Sequence, residues 1–309
     1  MLITKFNTLA RQPQALVLGL LTVLCWSTVA TAFKLSLRFL SPIQLIVIAC
    51  LTSLLFLFGV LVWQGRVRQL FLLDKTQYLW SLVFACMNPV LYYWLLFSAY
   101  ELLPAQEAQA INLSWIIVLT LLAVPLLGHR LTVVDVVAAI ICYFGVLLIA
   151  TQGKVFTLEF EHPRGLVFAL LSTIVWSLYW ILNRRDRREP ILGLTLNFGF
   201  ALPILMFVAW QSDDLQGLID VPYLAWSGAF YVGIFEMGLA FVLWLYAMKR
   251  ATNTSQLANL IFIVPFLSLI FIFIFLSEVI KLSTVLGLIF IIAGLLVQQG
   301  FKKESVPTI

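Results

Sequence analysis

Charge is scarce in this chain. Asp, Glu, Lys and Arg make up 11% of its 309 residues, and histidine occurs twice. A soluble domain averages about 25% charged residues. No polar stretch is long enough to form a soluble domain, which leaves a sensor or scaffold without an output module. No G-x-x-x-x-G-K-[ST] loop is present, so nothing in the sequence holds a nucleotide for an ATP-driven pump. No H-E-x-x-H is present either. His129 and His162 fall in loops with no metal-ligand spacing between them, and no cofactor is implied. Cys25, Cys50, Cys86 and Cys142 all lie inside apolar runs, where they read as small packing residues and not as a disulfide framework. An intramembrane enzyme needs two convergent catalytic groups, and the sequence buries one deep carboxylate.

What fills the chain is apolar. Hydrophobic residues make up 62% of the sequence, and the mean hydropathy is +1.05. Ten apolar runs can be drawn, near 15–33, 43–64, 77–99, 106–126, 133–150, 165–182, 191–211, 222–247, 255–276 and 283–299. Runs of about 20 apolar residues read as membrane-spanning helices. They are continuous and do not alternate with period two, so helices are expected and a barrel is not. The fold class expected is therefore an all-α integral membrane protein of ten helices. Lys5 and Arg11 precede the first run, and Ala30-Thr31-Ala32 resembles a cleavage site. The repeat described below needs this helix, so it is read as retained.

Basic residues set the expected orientation. With the N-terminus inside, fourteen fall inside: Lys5, Arg11, Arg66, Arg68, Lys75, Arg130, Arg184, Arg185, Arg187, Arg188, Lys249, Arg250, Lys302 and Lys303. Five fall outside: Lys34, Arg38, Lys154, Arg164 and Lys281. The pI near 9.1 thus reflects topology and gives no sign of nucleic-acid binding. The cluster NRRDRREP, Asn183 to Pro190, reads as a stop-and-orient signal. The loop SDDLQGLID, Ser212 to Asp220, holds three acids and no base, which suits the outside. Both termini are expected in the cytoplasm, with the chain in a plasma membrane of the bacterial inner-membrane type.

The halves 1–153 and 154–309 resemble each other. LGHRLTVVDVVAAIICYFGVLLI (Leu127 to Ile149) lies over LSEVIKLSTVLGLIFIIAGLLVQ (Leu276 to Gln298) at an offset of 149. Gly145 then meets Gly294, and Ala138 meets Gly287. Trp26-Ser27 meets Trp176-Ser177 at an offset of 150. Each half holds five helices. Five is odd, so the second half would enter the membrane upside down, as in transporters whose site lies at the midplane between inverted repeats.

Together with CWSTVATAFK (Cys25 to Lys34) and LPAQEAQAINLSW (Leu103 to Trp115), these stretches resemble the drug/metabolite transporter superfamily, in particular its EamA family. FEMGLAFVLWLYAMKR (Phe235 to Arg250) is similar to the bacterial aromatic amino-acid exporter branch. The resemblance implies two inverted five-helix repeats and a secondary carrier working by alternating access, with export the family tendency. Aromatic amino acids come first among its substrates, then related small metabolites. An amphipathic drug or hydrophobic cation is the alternative. Ile116 departs from the family pattern, which often has Pro after the Trp of the fourth helix. The matched Pro265 keeps it, so a kink common to both halves would have proline on one side only.

Glu236 is the foremost candidate site residue. It sits in the middle of the eighth run, where insertion scales charge about 2.5–3.5 kcal/mol for an ionised group. Intramembrane acids face a bundle interior or a wet cavity and mark a pathway. Glu236 is read as a substrate-amine partner or proton site, against a protonated acid bonded to a neighbouring helix. Its matched position is Met87, beside Asn88-Pro89. Pro89 matches Gly238, and both loosen a helix. Asn112 and Trp115, three apart, share a face of the fourth helix and suit a zwitterion with an apolar side chain; interhelical glue and an interfacial anchor are the alternatives. Asn259 reads like Asn112. Trp26, Trp176 and Tyr179 read as aromatic walls or as packing. Of Tyr92, Tyr93 and Trp94, at least one must face lipid, because three consecutive residues span about 200° of a helix. Glu101 and Glu107 are expected solvated at the outer mouth, and Asp135 is expected to cap or pair near the interface.

Overall fold

The computed structural model describes residues 9–157 and 159–300. Lys5, Lys302, Lys303 and both termini lie outside the described residues. Among the described residues ten helices form the bundle: α1 Arg11–Ser36, α2 Pro42–Trp63, α3 Lys75–Leu102, α4 Ala105–Leu127, α5 Val133–Ala150, α6 Pro163–Asn183, α7 Pro190–Gln211, α8 Tyr223–Arg250, α9 Leu260–Leu276 and α10 Leu282–Gly300. Nine are long and apolar enough to cross a membrane, and α9 is the shorter one. Among the described residues there is no strand.

Local chemistry sets where the helices begin. In α2, α3 and α5 a side chain before the first turn and a partner three residues on bond each other's backbone N–H: Ser41 with Gln44, Asp74 with Gln77, Thr132 with Asp135. Each box satisfies two donors that the helix itself leaves orphaned. Asp135 also accepts a bond from Gln298 Nε2 at 3.2 Å, which ties α5 to α10. At the other end of a helix, Lys34 Nζ donates to the carbonyls of Tyr100 and Leu103, at 2.6 and 2.7 Å. A cation at a helix C-terminus complements both the free carbonyls and the dipole.

Loop contacts sort the connections onto two ends. Lys34 meets the α3–α4 corner, and Gln44 Nε2 donates to Asp214 O at 2.6 Å. Lys281 pairs with Glu107 at 3.1 Å. At the opposite end Arg66 pairs with Glu189 at 3.5 Å. There Arg188 meets Asp186, Gln77 and Ser81, and Gln12 meets Thr252 and Asn253.

The tightest seam joins α5 to α10. A Cβ placed on Gly294 would lie 2.6 Å from Ala138 O, and one on Gly287 would lie 2.6 Å from Gly145 O. Residue 138 therefore faces 294 while 145 faces 287, so the two helices run antiparallel. In lipid, helices associate through close packing, and small residues allow it.

Three long helices are interrupted near mid-depth. α3 is kinked over Cys86–Leu91, where Asn88 leaves helical geometry at φ −144°, ψ 111°. α8 widens over Val232–Ala240. Pro89 thus falls at a kink and Gly238 in a widened turn. α4 breaks between Asn112 and Trp115, and the α9 region passes from the helix Thr254–Asn259 through a 3₁₀ turn, Leu260–Ile263. The interruption in α4 forms without proline. The N–H of Ser114 turns back to Ile111 O at 3.0 Å, a tightened turn, and Ser177 Oγ donates to Trp115 O at 2.9 Å.

Two expectations need correction. Glu107 is not solvated: its side chain is 3% exposed and paired with Lys281, because α4 begins at Ala105 and carries it inward. NRRDRREP is more than an orienting signal. Arg188 is 3% exposed and its Nη2 lies 2.7 Å from Asp186 Oδ2, where it holds the α6–α7 loop against α3.

Candidate functional site

Glu236 occupies the centre of the widened turn in α8 and is 8% exposed. Tyr93 Oη donates to its Oε1 at 3.1 Å. Its other oxygen, Oε2, is buried without a hydrogen-bond partner. A π turn adds one residue to the ring of backbone atoms and recurs at functional sites. Here it turns an acid inward from a helix that is otherwise apolar.

Glu236 lines a cavity of about 140 Å³. Its wall comes from α1 (Trp26, Phe33), α3 (Tyr92, Tyr100), α4 (Gln109, Asn112, Trp115), α6 (Trp176, Trp180), α8 (Glu236, Trp244) and α9 (Ile261, Pro265). Helices α2, α5, α7 and α10 contribute no lining residue. Trp176 is the centre of the aromatic wall. It stacks on Tyr92 at 4.3 Å and 20° on one face, and on Tyr179 at 5.5 Å and 17° on the other. Trp115, Trp180 and Phe241 meet it edge-on. Offset and edge-to-face pairs of this kind are favourable beyond their buried area. Across the cavity Trp26 packs on Trp244 at 5.5 Å.

Six of the nine expected site residues therefore meet around one space: Glu236, Asn112, Trp115, Tyr92, Trp26 and Trp176. Three do not. Asn88 is buried at the α3 kink, away from the cavity wall. Tyr179 lies behind Trp176 and faces a smaller cleft of about 70 Å³ with Asn183, Asp186 and Arg188. Asn259 is exposed at the end of the short helix before α9, because the spanning part of that helix starts later than its apolar run. Trp94 is the member of its aromatic triplet that reaches the outer surface, while Tyr92 and Tyr93 are buried.

Sequence reading missed Gln109, Tyr100, Trp180 and Trp244. Helical spacing carried the signal for three of them. Gln109 is three residues before Asn112, Trp180 four after Trp176 and Tyr100 eight after Tyr92, spacings that return to one face; Trp244 is separated from Glu236 by part of the widened turn, so its spacing carried none. Among the described residues no three His, Cys, Asp or Glu side chains gather as for a metal. The arrangement can seat an aromatic or aliphatic group between rings while a carboxylate receives a donor.

A family model described as the EamA-like transporter family matches twice, over residues 13–151 and 163–298. The chain belongs to that family. This EamA-like chain is 26% identical to an uncharacterized transporter of Archaeoglobus fulgidus over 282 residues, 89% of this chain and 93% of the other. It is 26% identical to an uncharacterized transporter of Clostridium kluyveri over 188 residues, 58% of each chain. It is 28% identical to the aromatic amino acid exporter YddG of Ancylobacter novellus over 178 residues, 57% of this chain and 61% of that one. The chain thus spans about three fifths of the length of the Clostridium and Ancylobacter relatives. A crystal structure 22% identical in sequence superposes with a TM-score of 0.62, covering 94% of this chain and 100% of the other. At that identity the likeness speaks for the fold. The EamA-like chain is a multi-pass membrane protein.

Proposed function

We propose that this protein is a secondary carrier that exports amino acids, aromatic ones first, through the aromatic cavity around Glu236. The observation that carries the reading is a buried acid on the wall of that cavity, one of whose oxygens, Oε2, has no hydrogen-bond partner. A charge at this depth is tolerated where it meets water or a ligand, and a substrate ammonium supplies the missing donor. Trp180 Nε1, also buried without a partner, offers a donor to a substrate carboxylate. The rings supply the apolar seat.

In this reading the halves 1–153 and 154–309 are inverted copies that rock about the cavity. Support comes from the antiparallel α5–α10 seam, where matched positions contact each other reciprocally, and from the lining, which draws on α1, α3, α4 and their counterparts α6, α8, α9. The basic-residue count supports a bacterial inner-membrane orientation with both termini in the cytoplasm and the Lys34–Lys281 end outside. Glu236 makes a proton the natural coupling ion. The second reading, efflux of hydrophobic cations, is favoured by one feature: among the described residues the lining has an acid and five tryptophans but no Lys or Arg, a setting for cation–π contact.

Proteoliposome exchange with labelled phenylalanine, labelled aliphatic amino acids and a hydrophobic cation, at two pH values, tests these readings. Saturable, countertransport-stimulated phenylalanine exchange is expected, with Glu236→Gln slowing it or altering its pH dependence. Exchange of the cation alone would replace the first reading with the second. Glu236→Gln flux equal to wild type at both pH values would remove Glu236 from the mechanism.

A further inference from the structure

We infer that Gln109 is a second acceptor in the cavity, locked in orientation by a serine relay, and that it selects ligands whose ammonium carries two or more N–H groups. This rests on the cavity being the substrate site and goes beyond it by naming what distinguishes one amine from another.

The orientation follows from counting protons. Ser268 Oγ lies 2.8 Å from Ser27 O. A backbone carbonyl can only accept, so the single hydroxyl proton of Ser268 points at it. Ser268 is then left as an acceptor. Gln109 reaches Ser268 Oγ at 2.5 Å, and the group it presents must be the amide nitrogen, because a carbonyl there would set two acceptors against each other. The other end of the carboxamide, Oε1, is thereby turned away from α9. It is buried without a hydrogen-bond partner, on a residue that lines the cavity. The relay joins α4 to α9 and α1, and Ser27 and Ser268 are fully buried, so the amide is held from outside the cavity.

Asn112, one turn further along the same face, repeats the device. Its Nδ2 donates to Ser172 Oγ at 3.0 Å, and Ser172 Oγ donates to Ala169 O at 2.7 Å. Both amides of α4 are thus fixed by serines on neighbouring helices, with their carbonyl ends directed elsewhere. Among the described residues lining the cavity, two buried acceptors have no donor, Glu236 Oε2 and Gln109 Oε1. A primary ammonium brings three N–H groups, enough for both. An N,N-dimethylated ammonium brings one and leaves one acceptor buried without a partner, which weakens binding by about tenfold or more.

The test is equilibrium binding of L-phenylalanine and N,N-dimethyl-L-phenylalanine to the purified full chain, for wild type, Gln109→Leu, Gln109→Met, Ser268→Ala and Ser268→Thr. Wild type is expected to prefer the primary amine by about tenfold or more. Gln109→Leu and Gln109→Met should reduce that ratio to within about threefold, mainly by weakening phenylalanine. Ser268→Ala, which frees the amide to turn, should reduce it as well, and Ser268→Thr, which keeps the hydroxyl, should restore it. The second Gln109 variant serves if the first does not fold. An undiminished preference in either folded Gln109 variant overturns this inference and leaves the functional reading standing. Wild type that binds neither ligand overturns both.

Discussion

The α5–α10 seam gives the sharpest test of packing. Gly294→Ala adds one methyl group, and its Cβ would lie 2.6 Å from Ala138 O and 3.0 Å from Cys142 N. A relaxed carbon–oxygen contact is about 3.3–3.6 Å. Both obstructing atoms are backbone, so no side chain can swing aside and the helices must separate. Overpacking of this kind costs about 1–3 kcal/mol. Alanine's better helix propensity, worth up to about 1 kcal/mol, works the other way. Gly59→Ala on α2 isolates that second effect, because a Cβ there meets nothing within 4 Å. Gly294→Ala should therefore destabilise while Gly59→Ala stabilises slightly, with the pair separated by about 1–3 kcal/mol. Reversible unfolding in mixed micelles, titrated with a denaturing detergent, measures both. Gly294→Ala as stable as Gly59→Ala would refute the close approach of the two helices.

Other consequences concern the buried ion pairs. Arg188→Ala removes a cation that is 3% exposed and leaves Asp186, 14% exposed, uncompensated; a loss of about 3 kcal/mol is expected in the same unfolding assay, and a neutral result would return the loop to a purely orienting role. Lys281→Met should destabilise by about 1 kcal/mol, discounted because Lys281 is 36% exposed. The double variant Lys281→Met/Glu107→Gln should recover most of that loss, whereas additive losses would show that Glu107 does not depend on the lysine.

Much of the architecture was legible because lipid imposes one requirement on every spanning segment: backbone groups must be satisfied within the segment, and the side chains must be apolar. Ten runs became ten helices for that reason. Glu236 was conspicuous for the same reason, since an acid in an apolar run stands out. Its partner Tyr93 was not, because the kink in α3 and the widened turn in α8 break the helical phase and spacing no longer says which member of Tyr92-Tyr93-Trp94 points inward. Gln109 shares the face of Asn112 but lies near the start of α4, where a polar residue reads as interfacial; the relay that orients it through Ser268 joins residues 159 positions apart. Asn259 and Glu107 were misplaced by helix boundaries, which apolar runs locate to within a few residues at best. Glu107 also needed Lys281, a partner visible only once α9 and α10 are folded beside α4.

The central physical claim is that residue 236 faces a wet, ligand-sized chamber at half depth. Cysteine-free protein carrying Glu236→Cys, reconstituted and treated with a membrane-impermeant charged thiol reagent, tests it directly. This cysteine is expected to react at a rate comparable to that of a cysteine in a solvent-exposed loop. A cysteine at 236 that stays unreactive, while one placed in the Ser212–Asp220 loop is labelled, would contradict it.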